Sequence, residues 1–294
     1  MTVVAATSII FFIANALPGD PAAMYLGTDY SLEEYYEMRR IMRLDEPLYI
    51  RYFGFFSDLL RGSLGTSFGG LDVAQSIAIA LPRSIAITAP AVILTLSIGF
   101  LVGTLAAINK NNPIDYSSMF VTLVGLAMPS FAVSIVLILI FAFYLGWLPV
   151  GGFQGLNPTY LLLPVTASAL HTVAIQARLA RTSMLEVLNN DYVWTARSKG
   201  LSEWKVILKH AARNAFIPNW TNAGLSIGVA FSGSLYMEIM HSVPGIGRLM
   251  YNSLLRNDIP MMVGIIFVVT TAFIFINLLV DLSYTIIDPR IRVE

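Results

Sequence analysis

Long apolar stretches, separated by polar links, run along the whole chain. A helix needs about 20 apolar residues to cross the hydrocarbon core of a bilayer. Six stretches meet or approach this length: 2–17, 84–108, 116–145, 160–179, 216–239 and 260–287. The pattern therefore predicts an all-α, polytopic membrane protein with six transmembrane helices. We expect the third and sixth helices, which are the longest, to be tilted or to end in the interface.

The charges in the polar links predict how these helices are oriented. The link 180–215 is rich in basic residues and holds three acids, whereas segment 18–83 holds six bases and nine acids. In membrane proteins the excess of Lys and Arg lies in the cytoplasmic links. We therefore expect 180–215 and the tail 288–294 to be cytoplasmic, and 18–83 and the loop 240–259 to lie outside. Both termini are then cytoplasmic.

The apolar stretches and polar links divide the chain into a first span at 1–17, an external segment at 18–83 and a membrane core at 84–287. Hydrophobic residues make up 56% and charged residues 12% of the 294 residues, and the mean hydropathy is +0.70. Soluble domains carry about 25% charged residues, so most of this surface is expected to face lipid. The chain has no cysteine and no Gly-Lys pair, which excludes thiolate chemistry and a P-loop. We predict no catalytic residue, metal site or cofactor.

The external segment 18–83 is too long for a bare turn. Ser31 and Glu34 have the spacing of a capping box, and the apolar positions of 31–44 give a partial stripe. This pattern predicts a helix that lies on the outer face. Residues 51–60 predict another short amphipathic helix.

The segment 191–214, called the elbow here, predicts two short helices separated by a break. Gly200 can adopt a positive φ and end the first helix, and Ser202 can cap the second. Lys199 places a cation in the last turn of the first helix, where it suits the helix dipole. A helix–glycine–helix elbow is suited to docking on another protein. The alternative is an ordinary basic loop that only enforces the topology.

Residues 191–202 resemble the ATPase-docking loop of ABC importer permeases, whose general form is Glu-Ala-Ala, three residues and Gly. Ala196 and Gly200 match the second Ala and the Gly, whereas Trp194 and Thr195 replace the Glu and the first Ala. Further matches occur in the order typical of the family, at 17–22, 148–152, 244–249, 256–260, 277–284 and 288–292. The chain resembles the first of the two permeases in oligopeptide, dipeptide and nickel importers. That family usually has a basic stretch before the first span, so we expect a trimmed start here.

The resemblance implies the MetI-like fold of type I importer permeases and a division of labour between subunits. A second homologous permease completes the path as a heterodimer, and two cytoplasmic ABC ATPases dock on the elbows. An extracytoplasmic solute-binding protein delivers the solute, and no nucleic acid takes part. Ala196 and Gly200 are expected to be small so that the elbow seats closely on the ATPase. The residues implied in coupling to the ATPase are Asp191, Tyr192, Ala196, Arg197, Lys199, Gly200, Leu201, Glu203, His210 and Asn214.

The same resemblance implies a multi-pass protein of the cell's inner or plasma membrane that moves peptides. Nickel or another small solute is the alternative within the family. A stand-alone secondary transporter or channel, and a non-transporting scaffold, are alternatives from other classes. Ion-coupled transport requires buried charges in the membrane, and few charges lie at mid-span depth in this sequence.

Polar groups inside the predicted spans are candidates for the translocation path. His171 and Gln176 lie in the fourth span, and Glu238 lies near the outer end of the fifth. The alternative for His171 is a hydrogen bond between helices, and the alternative for Glu238 is a place in headgroup water. The outer gate or loop, either a re-entrant element or a surface loop, is expected to involve Pro244, Gly245, Gly247 and Asp258.

Three further features predict local structure in the membrane core. Pro129 should kink the third span. Asp115 precedes that span and is expected to cap its first turn. Gly99 and Gly103 form a GxxxG pair, which predicts a close approach between helices.

Overall fold

The computed structural model describes residues 2–16, 20–230 and 234–287. All regular elements in these ranges are helices, and no strand occurs within them. The predicted all-α fold is therefore confirmed for this part of the chain. The predicted tail 288–294 and the first three residues of the 17–22 motif lie outside the described ranges.

The first four helices comprise the first predicted span and three helices of the external segment. They are α1 (Thr2–Ala16), α2 (Pro21–Leu26), α3 (Leu32–Ile41) and α4 (Leu48–Leu60). The predicted capping box is present, because Ser31 N donates to Glu34 Oε2 at 2.7 Å and Glu34 N donates to Ser31 Oγ at 3.2 Å. Arg39 binds Asp20 at 3.0 Å, which holds α3 against the start of α2, and it also binds Asp45 at 2.9 Å.

Two long helices, α5 (Val73–Ile108) and α8 (Pro158–Leu188), form the central pair of the fold. With 36 and 31 residues they are about 54 and 46 Å long, well beyond a hydrocarbon core of about 30 Å. The sequence pattern places the start of α5 and the end of α8 inside polar links. Asp72 caps α5 by accepting a hydrogen bond from Gln75 N at 2.7 Å, so the helix begins in the external segment.

Glycines allow α5 and α8 to approach closely, as the GxxxG pair predicts. A Cβ at Gly103 would lie 2.3 Å from the carbonyl oxygen of Ala177 and 2.6 Å from Ala180 Cβ. A Cβ at Gly99 would lie 2.6 Å from Gln176 Cβ. Since real Cβ atoms do not make such contacts, only glycine permits this crossing.

The third predicted span is two helices rather than one. It consists of α6 (Pro113–Ala127) and α7 (Ser130–Leu137), the latter continuing as a π-helical segment, Ile138–Tyr144. The two helices are bent by 99° at residues 128 and 129. Pro129 lacks an N–H and forces the preceding residue out of the helical region, so Met128 is extended with φ −91° and ψ 121°. The predicted kink is confirmed and is a complete break.

The remaining helices follow α8 in close succession. They are α9 (Asp191–Ser198), α10 (Glu203–Lys205), which continues through a π-helical segment (Val206–Ala211) into α11 (Ala212–Ala230), then α12 (Leu235–Met240), α13 (Ile246–Leu255) and α14 (Ile259–Ile287). A Cβ at Gly224 of α11 would lie 2.5 Å from Val280 Cγ1, so α11 packs tightly on α14. Phe11 of α1 packs against Ile259 and Val263 of α14.

Within the described ranges, three helices are long and apolar enough to cross a membrane alone: α5, α8 and α14. The bent pair of α6 and α7 adds a fourth crossing if it is one span. The first and fifth predicted spans correspond to α1 and α11, which have 15 and 19 residues and do not pass the same test. The six crossings and the cytoplasmic position of both termini stay predictions.

Candidate functional site

The elbow has the predicted helix–glycine–helix backbone. Helix α9 ends at Ser198, and Gly200 has φ +74° with its N–H donating to Arg197 O at 2.9 Å. Ser202 stands at the N-cap of α10 with extended backbone, but its hydroxyl makes no capping hydrogen bond. The second helix of the elbow is not short, because α10 runs without a break into α11.

Two side-chain pairs brace the elbow from one helix to the next. Arg197 binds both carboxylate oxygens of Glu203 at 3.2 and 2.7 Å, which joins α9 to α10. The hydrogen bonds from Arg197 lower the pKa of the Glu203 carboxyl. Asn214 Nδ2 donates to Tyr192 OH at 2.7 Å, which joins α9 to α11. All four residues belong to the predicted coupling set. In this structure their side chains bond to one another within the chain.

The inner side of the elbow packs on the end of α8. Val193, Ala196 and Val206 form a buried cluster with Val187 and Leu188 of α8. Ala196 is only 5% exposed. The small size of Ala196 lets α9 pack within this chain, and its expected contact with a partner stays a prediction.

Several large apolar side chains of the elbow do not pack on α8 and are exposed. Trp204 is 67% exposed, and Trp194 lies under the Arg197 guanidinium, which is 5.7 Å from the ring centroid. Tyr192, Leu201 and Leu208 are also exposed. A group of exposed large apolar side chains in one segment marks a candidate interaction site. Asp191, Lys199 and Gly200 are exposed beside them, and His210 is half-buried. Sequence reasoning missed Trp204, although a tryptophan in a basic, polar link is itself a signal.

A bidentate ion pair joins the start of α6 to α8 just before the elbow. Arg181 Nε and Nη2 bind the two carboxylate oxygens of Asp115 at 2.6 and 2.8 Å. Asp115 lies in the first turn of α6, and the N-cap is Asn112, so the expected capping role of Asp115 is wrong. Its side chain is 3% exposed. The pair ties the broken third span to the helix that carries the elbow.

A cavity of about 370 Å³ lies between α5, α8, α11 and the start of α7. His171 lines it, together with hydroxyl side chains from these helices. The Nδ1 atom of His171 is buried and has no hydrogen-bond partner. The alternative of a hydrogen bond between helices is therefore not realised for this atom. Ser130, directly after the Pro129 break, and Ser234 line the same cavity.

Gln176 occupies a different position from His171. It is fully buried, donates to Asn219 Oδ1 at 3.0 Å and accepts from Asn222 Nδ2 at 2.8 Å. These bonds join α8 to α11. Gln176 does not line the cavity that contains His171, and its part in the translocation path stays a prediction.

Glu238 is buried beneath the start of α13. Its carboxylate accepts hydrogen bonds from Ser84 Oγ at 2.7 Å and Arg248 N at 2.9 Å. A Cβ at Gly245 would lie 2.5 Å from Glu238 Cδ, and one at Gly247 would lie 2.9 Å from the backbone of Leu235. A place in headgroup water is wrong for Glu238, because the turn with both glycines covers it. Its part in the path stays a prediction.

The predicted outer-gate residues hold helix ends together. Asp258 precedes α14, accepts from Met261 N at 3.3 Å and Phe68 N at 3.2 Å, and also binds Ser67 Oγ. It thereby joins the external segment to α14. Arg83 donates to the Pro244 carbonyl at 3.3 Å. Because residues 246–255 form helix α13 with a buried face, this part of the loop is a packed element rather than a surface loop.

Sequence relatives match nearly the whole chain. It is 39% identical over 284 residues to the oligopeptide transport system permease protein OppB of Haemophilus influenzae, covering 96% of this chain and 92% of the relative. It is 36% identical to the dipeptide transport system permease protein DppB of Alkalihalophilus pseudofirmus, covering 97% and 94%. It is 35% identical to the glutathione transport system permease protein GsiC of Escherichia coli, covering 97% and 92%.

The fold is shared with a solved transporter. A chain of the inward-facing MetNI methionine ABC transporter superposes with a TM-score of 0.55 at 13% identity, covering 74% of this chain and 98% of that one. This likeness confirms the MetI-like fold. A family model described as the binding-protein-dependent transport system inner membrane component matches residues 99–293, a range that contains the elbow, His171 and α13. The chain belongs to the family of binding-protein-dependent transport system inner membrane components.

Proposed function

We propose that this chain is the transmembrane permease subunit of an ATP-driven importer of peptides in the cell's inner membrane. The relatives that match over almost their full length carry names that refer to oligopeptides, dipeptides and glutathione, which supports peptides over nickel as the solute. An extracytoplasmic binding protein delivers the peptide. A second homologous permease forms the other half of the path.

The exposed apolar side of the elbow is the observation that carries the coupling part of this proposal. Trp194, Leu201, Trp204 and Leu208 would be costly to leave in water, and a cytoplasmic ATPase subunit covers them. Lys199 and Asp191 are exposed in the same segment. The opposite side of the elbow is packed on α8, and two braces make it rigid. ATPase movement at the elbow is therefore passed to α8 and α11 as rigid bodies.

Removal of one exposed tryptophan tests this coupling. Trp204→Ala should weaken the association of the ATPase subunits with the detergent-purified permease and lower peptide uptake. Trp147→Ala is the matched control, because Trp147 is 68% exposed and belongs to the segment between α7 and α8, away from the elbow. Equal ATPase recovery from both variants and the wild type would contradict docking at the elbow.

Co-purification separates the other classes of function. A peptide importer of this kind retains ATPase subunits in stoichiometric amount and takes up peptide only with ATP. A stand-alone transporter or channel takes up solute in vesicles without these partners. A scaffold does not move solute in either preparation.

A further inference from the structure

The cavity that contains His171 offers hydrogen-bonding groups that the protein itself leaves unused. Ser130, His171 and Ser234 come from three different segments, and none of the three side chains forms a hydrogen bond with a described residue. Buried polar groups are normally paired, so the buried and unpaired Nδ1 atom of His171 requires an explanation. A bound ligand provides one.

Three of the five other hydroxyls that line the cavity are restricted to one role. Thr88, Ser168 and Ser226 each donate to the carbonyl one turn earlier in their own helix, at 2.9, 2.7 and 2.9 Å. Since each hydroxyl has a single proton, these three oxygens can only accept further hydrogen bonds. The cavity therefore combines acceptors on α5, α8 and α11 with groups that can either donate or accept.

Charged groups are absent from the described lining of this cavity. Among the described residues, no Asp, Glu, Lys or Arg lines it, and no group of three metal-binding side chains occurs. A divalent cation requires several oxygen or nitrogen ligands with negative charge among them. A peptide main chain alternates N–H donors with carbonyl acceptors and has no charge between its ends, so it matches this lining.

The position of the helix break supports the same ligand. Non-helical backbone at membrane depth is tolerated where it is buried in protein or lines a cavity, and broken helices mark substrate sites in transporters. The break at residues 128 and 129 leads directly into Ser130, which lines the cavity. The volume of about 370 Å³ is in the range of small-molecule sites.

We infer that this cavity is a subsite that binds the main chain of the translocated peptide. Ser130, His171 and Ser234 form the hydrogen bonds to that main chain. The inference rests on the proposed function and assigns a place to the peptide. Because the subsite binds amide and carbonyl groups of the main chain, it accepts peptides regardless of their side-chain charge. Selection among peptides then belongs to the binding protein.

The test uses the complete importer reconstituted in vesicles, with an excess of its binding protein loaded with radiolabelled trialanine. The variants are His171→Leu and the double variant Ser130→Ala with Ser234→Ala. Each hydrogen bond removed should lower uptake per ATP hydrolysed about fivefold. His171→Gln, which keeps hydrogen-bonding groups, should restore most of the uptake. Ser97→Ala is the control, because this exposed α5 hydroxyl does not line the cavity.

Uptake at the wild-type level in both His171→Leu and the serine double variant would overturn the subsite. A trialanine analogue with a photoreactive side chain tests it without substitutions: adducts at 130 and 168–172 during turnover support it, and adducts confined to other segments overturn it. The proposed function fails separately, if the unsubstituted importer does not take up trialanine at all.

Discussion

Removal of Arg181 should destabilise the permease strongly, because it leaves a buried carboxylate without its partner. Asp115 is 3% exposed and binds Arg181 through both oxygens, so an Arg181→Met variant retains only the hydrogen bond from Asn111 N at 3.0 Å. Breaking a buried pair on one side costs about 3–5 kcal/mol. Since Arg181 is one-quarter exposed, we expect a loss near 3 kcal/mol, which corresponds to a fall of about 6–12 °C in the unfolding midpoint.

The assay is thermal unfolding in detergent, followed by tryptophan fluorescence. The double variant Asp115→Leu with Arg181→Met should recover at least half of the loss, because it no longer buries an unpaired charge. Arg197→Met is the matched control: its pair with Glu203 is also bidentate but half-exposed, and such pairs contribute below about 1 kcal/mol. The reasoning is refuted if Arg181→Met is no more harmful than Arg197→Met, or if the double variant is as unstable as the summed single variants.

Two further predictions concern helix packing and the elbow. Gly103→Ala should keep α5 and α8 apart, since the new Cβ would lie 2.3 Å from a backbone oxygen, and the folded peak on size-exclusion chromatography should be lost. Gly54→Ala is the control: its nearest neighbour lies at 3.6 Å, so the substitution should be neutral or stabilising. Glu203 should titrate below its ordinary pKa of 4.5 in an infrared titration, and Arg197→Gln should return it to that value. Because the folded-state pKa is lowered, the stabilisation is present above the ordinary pKa and is lost as pH falls through the folded-state pKa. An unchanged Glu203 midpoint in the Arg197 variant would contradict the brace.

Features that depend on neighbouring residues in the chain could be predicted from the sequence. The capping box at Ser31 needs only the Glu three residues later, and the helix stop at Gly200 needs only a residue that tolerates positive φ. The break at Pro129 could also be predicted locally. The size of its 99° bend could not, since Pro is compatible both with a kinked helix and with two separate helices.

Features that depend on tertiary packing could not be predicted. From the sequence, Glu238 is expected to be an exposed acid near a membrane surface. Only the folded chain places Ser84 and the turn at Gly245 over its carboxylate. Ala196 reads as a small contact residue, but its position on the inner side of α9 becomes clear only when α8 is in place. The His171 cavity requires residues from Thr88 to Ser234, which only the folded chain brings together.

Thiol cross-linking at position 204 tests the central claim, coupling through the elbow, most directly. The chain contains no cysteine, so Trp204→Cys carries the single thiol of this subunit, and Trp147→Cys provides a control of equal exposure. Treatment of native membranes with a short bifunctional reagent should join Trp204→Cys, and not Trp147→Cys, to an ATPase subunit. Cross-links from both positions alike, or a thiol at 204 that reacts only with reagents outside the cell, would contradict the account.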